Sequence, residues 1–278
     1  MKNNRNTSSK IALVIAIITV FFVFAGALTV FYINRDAVYN FLSKSAGKNQ
    51  NVETPSKPDK SIPGGLVPLS DDIPDPYEYF SNILFIGDSI TAGFDVYRDS
   101  IEFDGVNVLR DAAITAVNGY GVHNAVSDAG DNAVNLIYDG KAMRPEDIIA
   151  ERDEKYVFID LGLNDLVMMS VDKYIEIYGE MIDNIHAKNP DKTVVIMSVT
   201  PLVAGQRSGD INNDVIIKAN SMLLKLAKER NIPFIDWAAA IREADNSLSK
   251  NLSADGYCHL NVGAYSRLVE YLLYHPAG

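Results

Sequence analysis

Three stretches of different patterning divide the chain. Residues 11–33 are 23 consecutive positions without a charge. A helix of that length, at about 1.5 Å per residue, spans roughly 34 Å, enough to cross a bilayer core. Across residues 49–79 the apolar positions are scattered, and six of the 11 prolines occur there: Pro55, Pro58, Pro63, Pro68, Pro74 and Pro76. Proline blocks helix interiors and sheet ladders, and the polar residues between cannot bury a core, so this stretch predicts a linker. From Ser81 onward the pattern is that of a folded domain. Apolar runs rich in β-branched residues predict buried strands at 82–86, 106–109, 156–161, 193–199 and 233–235.

Helical periodicity fills the gaps between these runs. Residues 173–187 bring Tyr174, Ile177, Tyr178, Met181, Ile182 and Ile185 to one face, and residues 214–229 do the same for Ile217, Ser221, Leu224 and Ala227. A last helix over 262–274 follows an Asn261 cap. Strands alternating with helices predict a parallel five-stranded sheet covered on both faces, a three-layer α/β/α sandwich. Active sites of such sheets lie beyond the C-terminal ends of the strands.

The expected organisation is a cytoplasmic tail (1–10), a transmembrane signal-anchor (11–33), an extracytoplasmic Pro-rich linker (34–80) and a catalytic-sized domain (81–278). Lys2, Arg5 and Lys10 precede the apolar run, and Arg35, Lys44 and Lys48 follow it. Three bases on each side give no direction through the positive-inside rule. The short basic tail before the first apolar run reads as a signal-anchor with its N-terminus inside. Ala25-Gly26-Ala27 fits a cleavage site, so a cleaved signal peptide is the rival reading. Against cleavage, the run continues past that site through Leu28, Val30, Phe31 and Ile33. The anchor reading expects a single-pass cell-membrane protein with its domain outside the cytoplasm, and the cleavage reading expects a secreted one.

Charge narrows the partners. The chain carries 25 Lys+Arg against 36 Asp+Glu, a net charge of −11, and residues 81–278 hold 17 basic and 29 acidic side chains. Phosphate binding needs clustered bases, so nucleic acid is not an expected partner. A single cysteine, Cys258, excludes an intrachain disulfide and a zinc knuckle.

Three segments carry candidate chemistry. The first strand runs into Gly87-Asp88-Ser89-Ile90-Thr91-Ala92-Gly93. A serine just past a strand, opening a helix, has an exposed hydroxyl and an N–H where negative charge is favoured. Taken alone, Asp88 or Ser89 could equally be only a helix cap. The third strand ends in Gly162-Leu163-Asn164-Asp165. Its Asn could donate to a developing oxyanion, or simply form an Asx turn. Near the C-terminus stands Asp255-Gly256-Tyr257-Cys258-His259-Leu260-Asn261. A His beside an Asp can act as a general base held in one tautomer. His123, in a Gly-rich loop, is the rival base; His186 and His275 are expected at the surface. Cys258 is expected to pack rather than react, given Tyr257 and Leu260 beside it.

Together these segments resemble the SGNH, or GDSL-type, hydrolases over about residues 81–276. Gly87-Asp88-Ser89 with Gly93 is similar to the family's first block, Gly162-x-Asn164-Asp165 to its third, and Asp255 and His259 before Asn261 to its last. The resemblance implies a flavodoxin-like α/β domain in which Ser89 is the nucleophile, His259 the general base and acid, and Asp255 its orienting partner. It implies oxyanion donation from the Ser89 N–H, the Asn164 side chain and a glycine N–H of the second block, for which Gly119 and Gly121 are both candidates. The family usually has two residues between this Asp and His, and here Gly256, Tyr257 and Cys258 make three. A bulge in the loop is needed to keep Asp255 in reach.

The resulting expectation is a membrane-anchored extracytoplasmic serine esterase without metal or organic cofactor. Its expected substrate is acylated carbohydrate, first O-acetyl groups on cell-surface or environmental polysaccharide. The alternatives are a lipase or lysophospholipase acting on single-chain lipid, acyl transfer to a sugar hydroxyl through the same residues, and a non-catalytic binding module.

Overall fold

A computed structural model describes residues 67–130 and 134–277. The predicted signal-anchor at 11–33 and most of the linker lie outside the described residues. No helix among those described is long and apolar enough to cross a membrane.

The elements follow in chain order. Helix α1 (Pro76–Ser81) leads into β1 (Ile83–Gly87), α2 (Ser89–Val96), a small hairpin of β2 (Glu102–Phe103) and β3 (Val106–Asn107), and β4 (Ala113–Ala116). Then come α3 (Val122–Ala125), a second hairpin of β5 (Leu136–Tyr138) and β6 (Lys141–Met143), α4 (Pro145–Ala150) and β7 (Tyr156–Asp160). The chain closes with α5 (Leu163–Met168), α6 (Val171–Lys188), β8 (Thr193–Met197), α7 (Asn213–Arg230), β9 (Phe234–Ile235) and α8 (Val262–Tyr274). The main sheet has the order β4-β1-β7-β8-β9, and every pair is parallel.

Side-chain alternation along the strands builds two cores. Leu84 and Ile86 of β1 face the core shared with Val157, Ile159, Val194 and Ile196, which α6 covers with Tyr174, Tyr178, Met181, Ile182 and Ile185. Ile83 and Phe85 face the opposite core with Phe158, Val195 and Met197, beneath α2, α8 and Trp237. Each large side chain buried in this way contributes about 1.5–3 kcal/mol of transfer free energy. The predicted three-layer parallel sandwich is the observed architecture.

Four expectations need correction. The second strand of the sheet is Ala113–Ala116, which pairs with β1, and not 106–109. Val106 and Asn107 pair instead with Phe103 and Glu102 across a turn. Val108 and Leu109 are buried, so the apolar run marks a core plug, whereas the real strand, Ala-Ile-Thr-Ala, is too weakly apolar to stand out. On α7 the buried stripe is Ile216, Ala219, Leu223, Leu226 and Ala227, and Ile217 is 40% exposed; with Ile at both 216 and 217, the pattern admitted two faces one residue apart. The folded unit also begins before Ser81. Val67 is buried and donates its N–H to Phe234 O at 3.2 Å, and α1, capped by Asp75, buries Tyr79 and Phe80. Pro76 occupies the first turn of α1, where no intrahelical N–H is needed, so here a proline opens a helix. Finally, His275 is buried rather than superficial, its ring stacked 4.0 Å from Tyr271 with Nδ1 donating to Tyr271 O at 2.9 Å. Burial lowers its pKa.

Candidate active site

The strand ends place the three candidate segments side by side. β1 ends at Gly87, and Asp88 caps α2 by accepting the Ile90 N–H at 2.9 Å. Ser89 is therefore the first residue of α2, a position whose N–H has no intrahelical acceptor. Gly93, one turn on, lies under Tyr265 of α8, and a Cβ there would overlap the tyrosine hydroxyl. The Tyr265 hydroxyl donates to Ile90 O at 2.7 Å. The close approach that glycine permits thus fixes the nucleophile helix against the helix that follows His259.

The loop before α8 absorbs its extra residue in a tight turn. Gly256 adopts φ +73°, a left-handed conformation that glycine takes without penalty. Asp255 Oδ1 accepts the N–H groups of Tyr257 at 2.7 Å, Cys258 at 3.1 Å and His259 at 3.3 Å, and the Ser253 hydroxyl at 3.2 Å. The Ala254 N–H closes the turn on His259 O at 2.8 Å. Oδ2 is left to accept from His259 Nδ1 at 2.6 Å. With that nitrogen protonated, His259 Nε2 accepts the Ser89 hydroxyl at 3.1 Å. Partial burial raises the Asp255 pKa, but the His259 ring bond and the Tyr257 N–H outweigh it and hold the carboxyl below its ordinary range. Ser89, His259 and Asp255, chosen from the sequence, form one continuous hydrogen-bonded chain.

Asn164 stands on the first turn of α5, beside Asp88. Its Nδ2 donates to Asp88 Oδ2 at 2.9 Å and to Tyr120 O at 3.0 Å. Both amide hydrogens are engaged, so donation to an oxyanion means exchanging one of these acceptors. The two candidate glycines differ. Gly121 gives its N–H to Asn124 Oδ1 at 3.0 Å. Gly119 sits at the tip of the turn with φ +80°, followed by Tyr120, whose N–H returns to Val117 O at 3.1 Å.

The ring of His123, the rival base, meets no serine hydroxyl among the described residues; its carbonyl accepts the Ser127 hydroxyl at 2.7 Å. Its Nδ1 lies 2.7 Å from Asp165 Oδ1, on a carboxyl that also accepts the Val122 N–H at 3.0 Å and the His123 N–H at 3.3 Å. Asp165 stands in the Gly162-Leu163-Asn164-Asp165 segment, which by itself assigns it no task. Asp88, a cap candidate in the sequence, is the cap of α2; what the sequence does not show is that Asp88 and Asp160 are both sealed beneath the nucleophile turn. Burial pushes Asp88 up to about 7 against its bonds from Ile90 and Asn164. Burial, then the Asp88 charge, raises Asp160 well above the usual carboxylate range despite the Thr91 hydroxyl at 2.9 Å. Nothing in an apolar strand end signals that its last acid is buried.

Cys258 Sγ lies 3.9 Å from His259 Nδ1, and burial pushes the thiol up to about 12. Such a thiol is a poor nucleophile, and packing is the role the position supports. Among the described residues, Asp255, Cys258 and His259 are the one His/Cys/carboxylate group whose ligand atoms converge, within 4.8 Å. The Asp255–His259 contact already occupies two of those atoms.

A family model described as the GDSL-like Lipase/Acylhydrolase family matches residues 85–267. No curated protein matches the chain. Among solved structures, a provisionally assigned platelet activating factor from Streptococcus pneumonia is 18% identical with a TM-score of 0.51, over 69% of this chain and 81% of its own. A provisionally assigned acylhydrolase from Bacteroides fragilis NCTC 9343 is 17% identical with a TM-score of 0.51, over 72% and 88%. At these identities the likeness is one of fold.

Proposed function

Since the chain belongs to the GDSL-like lipase/acylhydrolase family and is a carboxylic-ester hydrolase, we propose that it works through Ser89, His259 and Asp255 on acylated carbohydrate outside the cytoplasm. The observation that carries the mechanism is the chain of contacts from Ser89 Oγ through the His259 ring to Asp255, at 3.1 and 2.6 Å. In this reading His259 takes the Ser89 proton as Oγ attacks the ester carbonyl, and Asp255 stabilises the imidazolium that forms. The tetrahedral oxyanion receives the Ser89 N–H, the Gly119 N–H and one hydrogen of Asn164. His259 then protonates the leaving alcohol, and water, activated by the same ring, releases the acid from the acyl-enzyme. Gly119 is preferred to Gly121 because the latter's N–H is already spent on Asn124.

The extracytoplasmic setting rests on the uncharged run at 11–33. O-acetyl groups on surface polysaccharide suit a tethered domain. The test is acetate release from an acetylated glycan by wild type and Ser89→Ala, with and without an acceptor sugar. Release lost in the variant supports hydrolysis, transfer to the sugar favours an acyltransferase, and equal release from both proteins refutes the mechanism. Carbonate-washed membranes retaining an intact N-terminal segment would support the anchor, whereas a mature N-terminus at Leu28 would replace it with a cleaved signal.

One observation favours a second reading. Val167 and Met168, three and four residues past Asn164 on α5, are 37% and 61% exposed, an apolar surface on the helix face of the proposed oxyanion donor. It suits a single-chain lipid. Higher kcat/KM on long-chain than on acetyl esters would decide for a lipase.

A further inference from the structure

The dipeptide Asn164-Asp165 grips the second-block loop from two sides. Asn164 holds Tyr120 O. Asp165, with no exposed surface, spends its carboxyl on the two residues that open α3: Val122 N–H to Oδ2, and both the N–H and the ring Nδ1 of His123 to Oδ1. Gly121 packs so close that a Cβ would stand 2.5 Å from Asp165 Oδ1. Every residue from Tyr120 to His123 therefore touches the pair, and Gly119 is the next residue back along the chain. Asp165 makes no hydrogen bond to Ser89, Asp255 or His259 among the described residues. Burying a carboxyl costs free energy unless it is fully hydrogen-bonded, and here all the bonds converge on one turn.

We propose that Asp165 is a positioning residue for the oxyanion donors: its buried carboxyl clamps the 121–123 turn so that the Gly119 N–H and the Asn164 amide stay aimed at one point, with His123 as the outer arm. This rests on the proposed reading of the site as an esterase centre in which Gly119 and Asn164 are donors. Such donors act because they are already oriented when charge develops. A displacement of about 1 Å at a reacting centre costs on the order of 10²-fold in rate. The clamp gives the neighbouring pair Asn164-Asp165 two tasks, one residue donating and the other holding the second donor in place.

The test uses the full-length protein, p-nitrophenyl acetate as substrate, and a boronic acid, which forms a tetrahedral adduct on an active-site serine. Asp165→Asn should lower kcat by roughly 10- to 100-fold with KM within about threefold, and weaken the boronic acid by the same factor as kcat. Gly121→Ala, which pushes the turn off the carboxyl, should move both quantities in the same direction. His123→Ala, which removes only the outer arm, should cost about two- to fivefold. A purely structural Asp165 would lower the melting temperature while the folded fraction kept wild-type kcat and boronic acid affinity, and that result overturns the clamp. If Asp165→Asn fails to fold, wild-type kcat in both Gly121→Ala and His123→Ala overturns it instead. Ser89→Ala separates the two levels. Full turnover in that variant sinks the esterase reading and the clamp with it. Loss of turnover there, beside unchanged Asp165 variants, sinks the clamp alone.

Discussion

Among the described residues, two His–Asp pairs have nearly identical contact lengths, His259–Asp255 at 2.6 Å and His123–Asp165 at 2.7 Å. Their settings are opposite. The first pair is half open to solvent, with side chains 49% and 38% exposed, and the far nitrogen of its ring meets the Ser89 hydroxyl. The second has a 30% exposed ring on a carboxyl with no exposure at all. In both pairs the carboxyl also collects backbone N–H groups. Asp255 uses one oxygen for its own turn and keeps the other for the ring, whereas Asp165 spends both oxygens on a neighbouring loop. A His–Asp distance therefore identifies a base only when the second ring nitrogen has a proton to take. The rest of the carboxyl's bonds tell whether it serves the ring or the chain.

The widest separation between the pairs should appear in turnover. Ser89→Ala and His259→Ala should each reduce kcat by about 10⁶-fold, since members of a triad act as a unit. Asp255→Asn should cost about 10⁴-fold by favouring the wrong tautomer. Steady-state kinetics on a soluble ester, with circular dichroism to check folding, measures all three. A His123→Ala protein as inactive as His259→Ala would reverse the assignment of the two rings.

This contrast marks the limit of what the sequence displays. Ser89, Asn164, Asp255 and His259 could be named because the three segments together resemble the GDSL-type hydrolases, whereas read alone Ser89 could be a helix cap and Asn164 an Asx turn. The helix over 262–274 and its Asn261 cap were legible from the chain itself, because the cap bond to Ala264 N is local. The turn at Gly256 was left open, because whether three residues can bulge depends on N–H groups finding Asp255 Oδ1, which spacing does not encode. Asp165 and the contact of Asp88 with Asn164 were opaque because the partners lie 42–43 and 76 residues away in the chain, whereas the cap bond of Asp88 to Ile90 is local. The second sheet strand failed for a different reason. Ala113 and Ala116 are small enough to pack at a sheet edge without an apolar signature, while Val108 and Leu109 show that signature without pairing.

Asn164 touches both settings, since it lies next to Asp165 and bonds to the cap of the nucleophile helix. Asn164→Ala should lower kcat by about 10²–10³-fold with little change in KM, as for other oxyanion donors. Normal kcat with raised KM would restrict Asn164 to shaping the Tyr120 turn, and would place it with the second pair rather than the first.

The smallest effect concerns Asp88, which feels the charges of both Asp165 and His259. Burial raises its pKa to about 7 from an ordinary value near 3.8. Between those values the folded protein holds a proton that the unfolded chain has released. Stability therefore falls as pH rises across this window, and below it the contribution is constant. Asn in place of Asp88 keeps an oxygen for the Ile90 N–H and cannot ionise. Urea unfolding of the wild type should lose stability from pH 4 to 7 more steeply than Asp88→Asn, by up to roughly 1.4 kcal/mol per pH unit, one proton's worth. Asp160 remains in both proteins, but part of its rise comes from the Asp88 charge, so the difference between the two curves reports the coupled pair of carboxyls. Parallel curves for the two proteins would mean that Asp88 stays ionised in the fold, with its bonds from Ile90 and Asn164 outweighing desolvation. The carboxyl between the two His–Asp pairs would then be a permanent charge shared by both, and not a group that titrates under the nucleophile.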